Sequence, residues 1–217
     1  MCLLAGMLFA QGARAQTSAA APRPELTTRP AATKAAVDRS APDKTWAALC
    51  AAVKAGDLAA FRACCYNKNE ISTLFMDAYS DTIVTSFQLA AAVAMLGPDG
   101  RTMSNNLEAA YTDLVKSGEN RQARISGDAA QWVRTVAASN ITAQETMFFK
   151  KVGGDWLLDT EQSYNLNSAE GRKAAEDFIA SAGPTLKTLK AVHADIESKK
   201  ITTMQQMRER MAGKQGG

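Results

Sequence analysis

Asp77 and Asp81 stand four residues apart, the spacing that sets two carboxylates on one face of a helix, where a pair of acids can divide general acid and general base roles. Tyr79 and Tyr111 are phenols able to donate a hydrogen bond to a ligand oxygen, and Asp113 is a further carboxyl on a helical segment. The same spacing equally describes a solvated stripe, with Thr73 and Ser80 beside the acids and Leu74 and Ala78 opposite, and this is the reading we favour. His193 is the single histidine, set between Val192 and Ala194 in a helical tail, so the usual histidine dyads, triads and metal sites have no basis. Asp155, Asp159 and Glu161 lie close together but alternate with apolar residues, which assigns them to the outer face of a strand; no metal or cofactor is expected. Gly97-Pro98-Asp99-Gly100 lacks the spacing of a phosphate loop, and its acid repels phosphate. No convergent set of acid, base and nucleophile emerges, and no catalytic residue is assigned.

The aromatic residues Trp132, Phe149 and Trp156 fall on inward strand positions. With Tyr79 they are the candidates for lining an apolar cavity that suits a hydrophobic small molecule or a peptide; the same residues equally serve to fill a core. Cys50, Cys64 and Cys65 are either small apolar core residues or, in an oxidising compartment, candidates for one bridge from Cys50 to Cys64 or Cys65. Without a Cys-x-x-Cys pattern they do not suggest a redox or metal centre.

These side chains need elements to hold them. Trp46, Leu49, Cys50 and Val53 recur at spacings of three and four, predicting a helix over 45–55 closed by Gly56. Asp57 caps a second helix carrying Leu58, Phe61 and Cys65. A long helix follows over 70–96, with Ile71, Leu74, Phe75 and Ala78 on its apolar side and a bend near 82–85. Gly97-Pro98-Asp99-Gly100 stops it, and a shorter helix spans 105–116. The period then changes to two. Strands over 122–125 and 129–136 flank Ser126-Gly127-Asp128, with Ile125 opposite Ala130 and Ala123 opposite Trp132, the four making an apolar face. A second hairpin joins 142–152 to 155–160 through Gly153-Gly154, setting Phe149 opposite Leu158 and Lys151 opposite Trp156. Helices over 168–198, interrupted at Gly183-Pro184, and over 203–211 lie outside the sheet core. The fold class is α+β: N-terminal helices on the concave face of a curved antiparallel sheet of two hairpins, then C-terminal helices.

The ends bear on compartment. Residues 2–10 form a short apolar run, and Ala13-Arg14-Ala15 fits the small-x-small rule for cleavage before Gln16, so export to the periplasm or beyond is expected. Residues 16–44, rich in Ala, Pro and Thr, read as a tether without apolar periodicity, ahead of a domain over 45–161 and a helical extension over 162–217. Of 217 residues, 25 are Lys or Arg and 22 Asp or Glu, scattered along the chain without a basic block, so a nucleic-acid partner is not expected. No apolar run reaches the roughly 18 residues of a membrane span. The Ala-rich helices and the terminal helix offer a surface for a homodimer or another partner.

One resemblance can be stated on these motifs. The opening Trp46-Ala47-Ala48-Leu49-Cys50-Ala51-Ala52-Val53-Lys54-Ala55-Gly56-Asp57-Leu58 resembles the first helix of the nuclear-transport-factor-two-like superfamily. The late hairpin Phe149-Lys150-Lys151-Val152-Gly153-Gly154-Asp155-Trp156-Leu157-Leu158-Asp159 is similar to that superfamily's final strands. The tail over 191–211 looks like the ending of a group of exported bacterial proteins of unknown function. The resemblance implies a cone-shaped α+β domain over about 45–160 and, in its enzymes, an Asp, His or Tyr inside the cone. It leaves two expectations of function: a non-catalytic exported binding or association module, or a small-molecule lyase, isomerase or hydrolase using Asp and Tyr groups.

Overall fold

In the computed structural model the described residues are 37–119, 121–138 and 141–213; the signal-like segment and residues 16–36 of the tether lie outside them. Helix α1, Pro42–Ala55, begins three residues earlier than its apolar period, because Pro42 with its preset φ can occupy the first turn. It ends at Gly56, whose φ of 69° is the left-handed conformation that glycine adopts without steric cost. Asp57 caps α2, Leu58–Ala63, by accepting the Ala60 N–H at 3.0 Å. Cys65 is not on that helix. It starts a two-residue strand, β1, Cys65–Tyr66.

Helix α3, Glu70–Val93, opens on a capping box in which Asn69 and Ser72 each accept the other's backbone N–H, and it tightens into a 3-10 turn over Ala94–Leu96. Its buried face differs from the expected one. Ser72, Phe75, Met76, Tyr79 and Ser80 point inward, while Leu74 is 44% exposed. The pair Phe75 and Tyr79 fixes the rotation by stacking with centroids 5.7 Å apart, and Ser80 tolerates burial because its hydroxyl donates to the Asp77 carbonyl. Gly97 turns the chain at a φ of 99°, but Pro98 and Gly100 do not form a loop: they lead helix α4, Pro98–Glu119, longer than the expected 105–116. A Cβ on Gly100 would lie 2.1 Å from the Val93 carbonyl, so glycine is required there by close approach.

The strands β2, Gln122–Ser126, β3, Ala129–Ala138, β4, Ile141–Val152, and β5, Asp155–Asp159, form one antiparallel meander. The hairpin registers are as expected, with Ile125 opposite Ala130, Ala123 opposite Trp132, Phe149 opposite Leu158 and Lys151 opposite Trp156. The sheet is nevertheless mixed: β1 adds parallel to β5, giving the order β1-β5-β4-β3-β2. A strand of two residues among the N-terminal helices has too little length to show a period of two.

After β5 comes a short helix α5, Thr160–Ser163, so the residue expected to end the strand begins a helix instead, with Asp159 as its cap. Helix α6, Ala169–Glu197, runs unbroken through Gly183-Pro184. Proline removes one backbone donor and crowds the preceding turn, a cost of about 3 kcal/mol. The buried series Ala175, Ala182, Leu189, Val192 and Ile196 lies on both sides of it, so packing holds the two halves in one rod. Helix α7, Met204–Met211, carries its own capping box from Thr203 and Gln206.

Two apolar layers result. Helix α1 packs on the sheet, where Trp46 meets Trp132 edge-on at 5.9 Å and Thr45 donates a hydrogen bond to the Trp156 carbonyl. The long helix α3 packs mainly along α6 rather than on the sheet. Between α3, α6 and α7 lies a separate cluster built on Leu89, Val93, Leu189, Val192, Ile196 and Met204. The last part of the expected tether also belongs to the fold: the Arg39 carbonyl accepts the Trp156 N–H at 2.8 Å, and its guanidinium bonds Asp155 at 2.7 Å and the Ala63 carbonyl at 2.9 Å.

Candidate functional site

The two acids that suggested proton transfer are held by one base. Arg62 on α2 places Nε 2.7 Å from Asp77 and a terminal nitrogen 3.6 Å from Asp81. The Nε contact is an ion pair off the N–H direction rather than an aligned hydrogen bond. A guanidinium shared by two partly exposed carboxylates ties α2 to α3. Asp113 is exposed on α4. His193 is partly buried on α6 with Nδ1 3.7 Å from Glu197 one turn later.

Each phenol also has a place in the packing. The Tyr111 hydroxyl donates to the Cys50 carbonyl at 3.0 Å, its ring stands edge-on to Phe87, and the Lys54 ammonium lies 5.5 Å above it. Burial first, and then the neighbouring Cys50 thiol and Glu108 carboxyl, raise its pKa above the ordinary phenol value. Tyr79 joins Phe75, Tyr164 and Phe178 in an aromatic cluster that locks α3 to α6.

The proposed ligand-lining residues Trp132, Phe149 and Trp156 are buried. Trp132 is edge-on to Phe149 at 5.8 Å as well as to Trp46, and Lys151 lies 5.8 Å over the Trp156 ring. Gly118 on α4 closes the same layer: a Cβ there would come within 2.6 Å of Trp46 and 3.0 Å of Trp132. Trp132 thus contacts both Trp46 and Phe149, and Phe149 also borders a groove. That groove, of about 280 Å³, lies at the β2–β3 hairpin, lined by Arg124, Ile125, Gln131, Phe148, Phe149 and Gln162. The expected apolar face does not extend across it. Ala130 and Trp132 are buried, but Ile125 is 58% exposed and every residue of β2 is open to solvent, because β2 is the sheet edge beyond the helices.

Cys50, Cys64 and Cys65 are buried free thiols. Burial pushes the Cys50 thiol up to about 12 and Cys64 to about 11, and raises Cys65 as well. Such thiols are poor nucleophiles at neutral pH. Among the described residues no group of three or more His, Cys, Asp or Glu is placed to hold a metal, and no helix is long and apolar enough to cross a membrane.

The acids after β4 are where sequence reasoning misplaced side chains. Asp155 is half-exposed and paired to Arg39, but Asp159 and Glu161 are buried, not set on a wet outer face. The strand ends at Asp159, and the turn of helix that follows rotates Glu161 inward. An Asp followed three residues later by Gln is a helix-start signal that could have revealed the change of period. A third polar network was not foreseen at all: Arg121, whose side chain is 2% exposed, donates to the Trp132 and Glu145 carbonyls and lies 5.3 Å over the Trp132 ring. Glu145 bridges it to Arg134, and the Arg134 hydrogen bond holds the Glu145 carboxyl below its ordinary pKa.

Comparison with protein-family models, curated proteins and solved structures finds no match to this chain.

Proposed function

We propose that this protein is a non-catalytic, exported binding module that takes up an extended peptide segment along the β2 edge of its sheet. The observation that carries the reading is the free edge itself: β2 is solvent-exposed at all five residues and borders the groove of Ile125, Phe148 and Gln131. An edge strand offers a row of backbone donors and acceptors to an incoming strand, while an adjacent groove receives alternate side chains. The disposition of the acids supports the same reading, since Asp77 and Asp81 share Arg62 and Asp113 faces solvent. An enzyme of the lyase, isomerase or hydrolase kind needs a carboxyl and a phenol converging in a pocket. Export and the likeness to the nuclear-transport-factor-two-like superfamily remain parts of this proposal, resting on Ala13-Arg14-Ala15 and on the Trp46 and Trp156 motifs.

Native mass spectrometry of the full chain, purified from the envelope of an expressing bacterium, tests it. The expected result is a mass that begins at Gln16, with a copurified peptide that is lost in Ile125→Lys while the circular dichroism spectrum is unchanged. A bare, uncleaved chain, or a peptide retained equally by Ile125→Lys, overturns the export or the edge assignment respectively.

A further inference from the structure

Ser126 and Ala129 close a two-residue turn whose first position, Gly127, has a φ of 59°. Such a turn is closed by a hydrogen-bonded pair, and bonded and non-bonded pairs alternate from there. Ser126, Arg124 and Gln122 therefore bond to β3, while the backbones of Ile125 and Ala123 point away from the sheet. The side chains divide in the same alternation. Ala123 and Ile125 lie on the face of their cross-strand partners Trp132 and Ala130, where Trp46 of α1 meets Trp132. Arg124 lies on the opposite face, in a row with Gln131 of β3 and Phe148 of β4. Arg124 and Gln131 are exposed, Phe148 is half-buried, and all three border the groove at the hairpin.

The charge on that face is uncompensated. Arg121 and Arg134 share Glu145, whereas Arg124 has neither an ion pair nor a side-chain hydrogen bond among the described residues. Lys150, opposite Ala129 and on the same face as Phe148, is likewise unpaired among them. No carboxylate of the described residues lines the groove, and Asp128 sits in the turn beyond the ladder. A strand that bonds the outward backbones of Ala123 and Ile125 sets its residue opposite Arg124 in the non-hydrogen-bonded position of an antiparallel ladder, where side chains approach most closely. Opposite charges stabilise such a pair and like charges destabilise it. We infer, resting on the edge reading proposed above, that the segment taken up at β2 alternates acidic and apolar residues, its carboxylates beside Arg124 and its apolar side chains beside Ile125. A second copy of this chain is a poor occupant, because two β2 strands centred on each other set Arg124 against Arg124.

The test is an NMR titration of the isotope-labelled full chain with three capped peptides of about seven residues, alternating Val with Glu, with Gln or with Lys. The expected result is a set of saturable shifts centred on the β2 amides, with the Glu peptide binding about threefold to fivefold tighter than the Gln peptide in low salt and the Lys peptide weakest. Salt at about 0.5 M narrows that spread. Arg124 is exposed and unpaired, so its substitutions leave the fold intact: Arg124→Gln erases the preference, and Arg124→Glu inverts it toward the Lys peptide. Equal binding of the Glu and Gln peptides by the wild-type chain, or a Glu preference that survives Arg124→Gln, overturns the acidic assignment and leaves the edge reading in place. No shift at β2 with any of the three peptides overturns the edge reading and this inference with it.

Discussion

Arg62, Arg121 and Arg39 show how single side chains convert suggestive residues into structural ones. Each guanidinium ties its own segment to at least one other element, and its planar fork suits that task better than an ammonium would. The Glu145 carboxyl illustrates the consequence for pH. Its folded pKa is lowered mainly by the Arg134 hydrogen bond, so the unfolded chain binds that proton more readily than the folded one. The contribution is therefore complete above the unfolded value of about 4.5 and is lost as pH falls through the folded value. Denaturant titrations from pH 7 to 3 are expected to show this loss, reduced in Glu145→Gln; an unchanged profile in that variant would assign the acid sensitivity to other carboxylates. The exposure of Glu145 keeps the effect modest.

At the scale of elements, periodicity located most helices and the registers of the β2–β3 and β4–β5 hairpins, because both depend on neighbours a few residues away, but it assigned no register to β3 against β4. It failed where long-range packing overrode a local signal. Gly183-Pro184 reads as a break, yet α6 continues through it, held by Ala182 and Leu189 on either side. Both Gly183 and Pro184 face solvent, so neither side chain is needed for a contact. Pro184→Ala restores a backbone donor and removes a crowded ring; it is expected to raise the unfolding free energy by about 1 to 3 kcal/mol in urea titrations. A loss of stability would mean that a bend at Pro184 is needed for the docking of α6 on α3.

For the whole molecule, the sheet layer under α1 and the helical layer between α3, α6 and α7 are joined by α3 and by the aromatic cluster of Phe75, Tyr79, Tyr164 and Phe178. The described chain from Asp38 onward is one compact unit, so the C-terminal helices are part of the fold rather than an appendage. Leu189 lies at the centre of the second layer with no exposed surface. Leu189→Ala is expected to cost about 2 to 5 kcal/mol and to lower a single unfolding transition seen by both tryptophan fluorescence and far-ultraviolet circular dichroism. Two separated transitions would show instead that the helical layer melts apart from the Trp46, Trp132 and Trp156 layer.

The α+β class, the helix cap at Asp57, and the pairings across Gly127-Asp128 and Gly153-Gly154 were all legible in the sequence, since each rests on hydrogen bonds or side-chain alternation within a few residues. The rotation of α3 that buries Ser80 and exposes Leu74, the addition of β1 parallel to β5, and the burial of Asp159 and Glu161 were not. Those depend on which distant surfaces meet. The same Asp-Thr-Glu turn would be an ordinary wet corner if Tyr66 did not pair beside Asp159, and only the closed chain supplies that neighbour.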